Sequence, residues 1–176
     1  MRERLPEFQS IVQVYAVIAV MFAAWTVTAF LWKLSAWLLL LNLGEIFTIF
    51  SYAMAANFLE SLVVLVLVLA ACTMLPANLL RDDFVVRGTI LSLGLIGTLV
   101  AFVGSQMQFG IESGLLLLIA PLVVLLLMAS LLHRSSKSNW IRSAALWLSD
   151  RVTVFLFLLL PLFVLLSAYV ILRNIA

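Results

Sequence analysis

The chain has 176 residues, of which 66% are hydrophobic and 10% are charged, whereas soluble domains carry about 25% charged residues. A soluble fold of this length could not cover so much apolar surface, so the composition excludes a sizeable water-soluble domain and indicates an integral membrane protein. Ten Lys and Arg against eight Asp and Glu give a net charge of +2, which provides no basic surface for binding nucleic acid.

The first long apolar segment, residues 11–32, follows a short polar start that includes Arg2 and Arg4. It has about the 20 residues needed to cross hydrocarbon and is too long for a secretory signal, so we predict a retained membrane helix. Further segments that lack Lys and Arg and are long enough to cross are residues 53–75, 88–109, 114–132 and 152–172. Their continuous Leu, Val, Ile and Ala lack the alternation of membrane strands. We therefore expect one all-α domain, a bundle of five transmembrane helices.

Residues 34–52 form another apolar segment, but it contains the polar residues Asn42 and Glu45. It is an interfacial segment, a re-entrant segment or a sixth span. Five spans with a cytoplasmic N-terminus place every Lys and Arg except Lys33 and Arg173 on the cytoplasmic side, as the distribution of positive charge in membrane proteins favours. Six spans place more of them outside, and we prefer five.

The cytoplasmic loop before the last span carries a helical pattern at residues 138–149. Its apolar positions include Trp140 and Trp147, with Arg142 between them. Tryptophan prefers the headgroup level and arginine favours anionic lipid, so we predict a short interfacial helix anchored by these three residues. The alternative is a helix that docks on a partner protein.

Ionisable groups at membrane depth are costly and mark candidate sites. If residues 34–61 were one helix, one broad stripe would hold Asn42, Glu45, Thr48, Tyr52 and Glu60, with Asn57 and Ser61 at its edge. The candidate intramembrane site comprises Asn42, Glu45, Tyr52, Asn57 and Glu60. Glu45 and Glu60 would then lie about 22 Å apart along the axis, too far for a catalytic or metal-binding pair. In the five-span arrangement both carboxylates lie toward the outer interface, where they are solvated.

Small residues follow one face of the predicted third span. This candidate packing face comprises Gly94, Gly97, Ala101, Gly104 and Ser105. Small residues allow two membrane helices to approach closely. The face packs inside the bundle or forms a seam with a second copy or a partner subunit.

Residues that would identify a chemistry are scarce. Cys72 is the single cysteine and His133 the single histidine, so the chain has neither an intramolecular disulfide nor the usual ligand set of a zinc or haem site. No phosphate-binding loop, nucleophile elbow or His-Glu-x-x-His pattern occurs. We therefore expect no catalytic residues, no metal and no cofactor, and do not expect an enzyme.

These patterns favour a non-catalytic accessory or structural subunit that packs in the lipid bilayer against another membrane subunit or a second copy. One alternative is a small transporter or proton-coupled carrier that uses Glu45 and Glu60. Another is an enzyme that acts on lipid headgroups. The directions in which the two carboxylates point discriminate between these functions. Glu3 and Glu7 argue against a mitochondrial presequence, so we expect the cytoplasmic membrane of a prokaryote.

Overall fold

The computed structural model describes residues 6–74, 83–109, 123, 130 and 138–175, except for the side chains of 101, 102 and 104–109. These residues form four long helices: α1 (Phe8–Leu40), α2 (Leu43–Met74), α3 (Phe84–Phe109) and α4 (Asn139–Ile175). No strand occurs among them. The prediction of an all-helical fold is confirmed.

Three of these helices, α1, α2 and α4, are long and apolar enough to cross a membrane. In α3 the described side chains form a shorter apolar stretch, Phe84–Val100. These properties are consistent with a membrane protein, although they do not confirm the predicted count of five spans. Apart from Val123 and Ser130, the predicted span at residues 114–132 lies outside the described residues.

Residues 34–52 form no element of their own in the structure. Because neither Gly nor Pro interrupts the chain between Trp32 and Leu40, α1 continues beyond the predicted end of the first span. Leu41 is extended, with φ −122° and ψ 151°, and α2 begins at Leu43. The segment is therefore divided between the end of α1, a two-residue turn and the start of α2.

Residues 138–149 likewise do not form a separate short helix. No Gly or Pro follows Asn139 until Pro161, so the helical pattern continues directly into the last apolar segment. The result is the 37-residue helix α4. The surface helix predicted from the tryptophans is the first third of a much longer helix.

Contacts between helix ends define the arrangement of the bundle. The starts of α3 and α4 meet where Asp83 pairs with Arg142, and Gly88 of α3 lies against Val14 of α1. We call this the N-terminal end. The opposite, turn end holds the α1–α2 turn and the end of α4, where Tyr52 contacts Asn174. Thus α1, α3 and α4 run in one direction and α2 runs in the other.

The first half of α1 lies at the centre of the bundle. Its residues from Val14 to Ala19 are almost fully buried, and the helix packs against α2, α3 and α4. One core cluster joins Val14 and Ile18 to Val68 of α2 and Phe84 of α3. A second joins Ala16 and Ala19 to Met54 of α2 and Phe163 of α4. This packing fixes which faces of α2 and α4 point outward.

Candidate functional site

Asn42 and Glu45 form a reciprocal cap at the start of α2. The Glu45 backbone N–H donates to Asn42 Oδ1 at 2.9 Å, and the Asn42 backbone N–H donates to Glu45 Oε2 at 2.9 Å. This arrangement is a capping box, which satisfies amides that the first turn of a helix leaves without partners. Both residues therefore have a structural role at the turn.

Polar side chains join α2 to α4 at the turn end. The Tyr169 hydroxyl lies 3.2 Å from Thr48 Oγ1, and the Arg173 guanidinium donates to the same oxygen. Thr48 Oγ1 itself donates to the Gly44 carbonyl at 2.7 Å. One turn away, the Tyr52 hydroxyl donates to Asn174 Oδ1 at 2.9 Å. These contacts hold the end of α4 against the hairpin.

Asn57 joins α2 to α1 in the interior of the bundle. Its side chain is 5% exposed, and its amide nitrogen donates to Thr26 Oγ1 at 2.6 Å and to the Phe22 carbonyl at 3.3 Å. One turn further along α2, Ser61 Oγ lies 3.3 Å from the hydroxyl of Tyr15. Such hydrogen bonds between helices stabilise membrane bundles.

Glu60 differs from the other four residues of the predicted site. It is exposed on the outer surface of α2, and among the described residues no hydrogen bond or ion pair reaches its carboxylate. Two residues earlier in α2, Phe58 packs on Phe163 of α4 with ring centroids 5.6 Å apart. Glu60 therefore lies close to the level of Phe163, in the middle of the helices.

The structure therefore does not bring the five predicted residues together. Asn42 and Glu45 cap a helix at the turn, Tyr52 and Asn57 connect neighbouring helices, and Glu60 points away from the bundle. The five residues lie in α2 or at its cap, but they are spread over about 27 Å of the helix axis and contact different neighbours.

The predicted small-residue face of α3 is only partly described. Gly94 and Gly97 are half-buried, and apart from its own neighbours along α3 no described atom lies within 4 Å of the position that a Cβ on Gly97 would take. The structure does not describe the surroundings of Ala101, Gly104 and Ser105. The close approach is made instead by Gly88, where an added Cβ would lie 2.9 Å from Val14 Cγ2.

The three predicted anchor residues lie near the start of α4. Trp140 and Trp147 are 79% and 63% exposed, and their contact with lipid headgroups stays a prediction. The Arg142 guanidinium donates to Asp83 Oδ1 at 3.0 Å and ties the start of α4 to that of α3. Arg151 lies 5.9 Å from the centroid of the Trp147 ring.

Sequence analysis missed most partners of these polar residues, because they lie far away in sequence. Thr26 and Tyr15 are separated from their partners Asn57 and Ser61 by 31 and 46 positions. The polar end of α4, with Arg173 and Asn174, marks the boundary of an apolar run. Polar residues at the end of an apolar helix need polar contacts, so this boundary could have predicted hydrogen bonds from Arg173 and Asn174 to a neighbouring helix.

Comparisons with known proteins add no functional information. No family model, curated protein or solved structure matches this chain. Among the described residues, no group of three His, Cys, Asp or Glu is close enough to hold a metal ion. The site must therefore be interpreted from its own geometry, in which the outward carboxylate of Glu60 is the exceptional feature.

Proposed function

We propose that the chain is a non-catalytic structural or accessory subunit of the cytoplasmic membrane of a prokaryote, which packs laterally against a membrane partner. The observation that carries this proposal is the outward position of Glu60. The other polar residues of the predicted site are used in caps and helix–helix hydrogen bonds. Glu60 is directed to a surface that the described residues leave uncovered.

The depth of Glu60 follows from two separate measures. Residues 152–172 of α4 contain no charged side chain and are flanked by Arg151 and Arg173, so their centre is Leu162, next to Phe163. Since Phe163 contacts Phe58, Glu60 lies about 3 Å from that level. Counting instead from the boundary marked by Thr48 and Arg173, Glu60 is about 18 Å deep, close to half of a hydrocarbon core of about 30 Å.

A carboxylate at this depth is stabilised by facing protein or water rather than lipid tails. Natural membrane proteins pair such groups with other polar side chains or with backbone. The outer face of α2 around Glu60 is therefore better explained as an interface than as a lipid-facing surface. The carrier alternative requires Glu45 and Glu60 on one pathway, whereas Glu45 caps a helix end and Glu60 points outward.

We propose five crossings with the N-terminus in the cytoplasm. α3 runs from the N-terminal end toward the turn end, and α4 begins again at the N-terminal end. The apolar residues 114–132 lie between them in sequence and supply the fourth crossing. The turn end then faces outside with Lys33 and Arg173, and the remaining basic residues face the cytoplasm, as their distribution favours.

Photo-crosslinking in native membranes tests the proposed function. A photoreactive amino acid at Ala56, one turn from Glu60 and exposed, is expected to form a discrete crosslink to one different membrane protein. The matched control is the same group at Leu158 of α4, which is 72% exposed and is expected to react mainly with lipid. A crosslinking pattern at Ala56 that equals the pattern at Leu158 would contradict a partner interface on α2.

A further inference from the structure

We propose that the face of α2 around Glu60 binds a transmembrane helix of a different protein, and that this helix carries a Lys or Arg at the level of the bilayer centre. The inference rests on the proposed function, because it names the partner chemistry of the same surface. The site comprises Ala53, Ala56, Leu59, Glu60 and Val63, and we call it the Glu60 face.

Charge complementarity selects a cationic partner. Burying an isolated carboxylate in hydrocarbon is strongly unfavourable, whereas a paired and hydrogen-bonded charge is tolerated. Glu60 has no such partner among the described residues. An ammonium or guanidinium group on a neighbouring helix supplies the opposite charge and the hydrogen-bond donors together.

The surroundings of Glu60 allow close approach of a helix. Ala56 lies one turn before Glu60 and Ala53 two turns before it. Their side chains are small, so a second helix can approach the backbone of α2 next to the carboxylate. Small residues at such positions let two backbones pack closely. Beside these alanines, Leu59 and Val63 are 63% and 58% exposed and offer apolar contacts. The Glu60 face thus combines one charge with a surface shaped for a helix.

Among the described residues, no cation lies at the level of Glu60. Residues 114–132, the remaining apolar segment, contain no Lys, Arg or His. Measured along the helix axes, Lys33 of α1 lies about 15 Å from Glu60, toward the turn end. Arg151 lies about 18 Å from Phe163, toward the N-terminal end. A second copy in the same orientation keeps these heights, so its Lys33 and Arg151 are equally distant. Because the described part of the chain places no cation at this level, the proposal assigns it to a different protein.

A model helix tests the charge directly. The purified full-length protein, labelled with a donor fluorophore, is reconstituted into phosphatidylcholine vesicles with an acceptor-labelled poly-leucine transmembrane peptide that carries one central Lys. A peptide with Leu at that position is the control. We expect the Lys peptide to associate about tenfold more tightly than the Leu peptide, equivalent to about 1.4 kcal/mol.

Substitutions at Glu60 separate charge from shape. Glu60→Gln keeps the size and removes the charge, and is expected to abolish the preference for the Lys peptide. Glu60→Asp keeps the charge and is expected to retain most of it. A preference that survives in Glu60→Gln, or no preference in the wild-type protein, would overturn the inference. Energy transfer between two labelled copies that depends on Glu60 would also overturn it, because paired carboxyl groups would then be each other's partners.

The two proposals fail in different ways. If Ala56 forms no specific crosslink in native membranes but the Lys peptide is preferred, the subunit function fails while the chemistry of the Glu60 face stands. If Ala56 crosslinks to a different protein and the wild-type protein does not distinguish the peptides, the function stands and the cationic partner is wrong.

Discussion

Gly88 allows α1 and α3 to lie close together because it has no side chain. An added Cβ would lie 2.9 Å from Cγ2 and 3.3 Å from Cγ1 of Val14, which is fully buried. Because β-branched Val14 has little rotamer freedom in a helix, α1 and α3 would have to separate. We expect Gly88→Ala to lower the free energy of unfolding by about 1 to 3 kcal/mol.

Gly97→Ala is the matched control for this prediction. The same substitution in the same helix meets no described atom within 4 Å apart from its own neighbours along the helix, so it is expected to be neutral or to stabilise by up to about 1 kcal/mol through helix propensity. Unfolding can be followed with a thiol-reactive dye, because the single cysteine, Cys72, is 1% exposed in the folded protein. Equal stability of the two variants would contradict a close approach at Gly88.

The sequence identified polar residues of the interior, but not which helix each of them contacts. Asn57 and Glu60 are both candidates from the sequence, Glu60 on the predicted polar stripe and Asn57 at its edge. In the structure one is buried against Thr26 and the other is exposed, because the packing of α1 on α2 decides which side of the stripe is inside. That packing depends on distant residues such as Phe22, which a local pattern does not contain.

At the scale of the helices, the capping box at Asn42 and Glu45 stabilises the start of α2. Removing the carboxylate leaves the Asn42 amide without its partner. We expect Glu45→Ala to lower the free energy of unfolding by about 1 kcal/mol. Thiol-reactive dye unfolding of the purified protein in detergent measures this effect.

Glu60→Ala provides the comparison for the capping prediction. It also replaces a glutamate of α2 by alanine, but no described contact is lost, so stability in detergent is expected to stay within about 0.5 kcal/mol. If both variants destabilise the protein equally, Glu45 has no special role as a cap.

Helix boundaries were less predictable than the helices themselves. Composition and the requirement to satisfy backbone amides predicted helices correctly. The turn at Leu41 was missed because Leu41 belongs to an unbroken leucine run, whereas Asn42 with Glu45 three residues later is a capping signature that local analysis could have used. For α4, interfacial tryptophans suggested a separate helix, although the sequence offers no residue that would end it before residue 152.

At the scale of the whole molecule, the number of crossings decides where the termini lie. Five crossings place Phe8 and Ile175 on opposite sides of the membrane, and six would place them on the same side. We expect a cysteine at Phe8, in a Cys72→Ala background, to react with a membrane-impermeant thiol reagent only from the cytoplasmic side. A cysteine at Ile175 is expected to react only from outside.

Both positions are suitable for this measurement, since Phe8 and Ile175 are 81% and 79% exposed. Labelling of both from the same side would overturn the five-crossing arrangement. The fold class could be predicted from composition alone, but the count could not, because the extra apolar segment at residues 34–52 has the length of a span and is in fact divided between two helices.

The two-residue connection between α1 and α2 has a consequence for how the chain is made. An α2 that left the ribosome and entered the bilayer alone would present the Asn57 amide to lipid, where an unsatisfied polar group costs several kcal/mol. Since the turn is so short, α1 is already beside α2 during synthesis, and Phe22 and Thr26 accept the amide hydrogens. We therefore expect α1 and α2 to be threaded into the membrane as a pair.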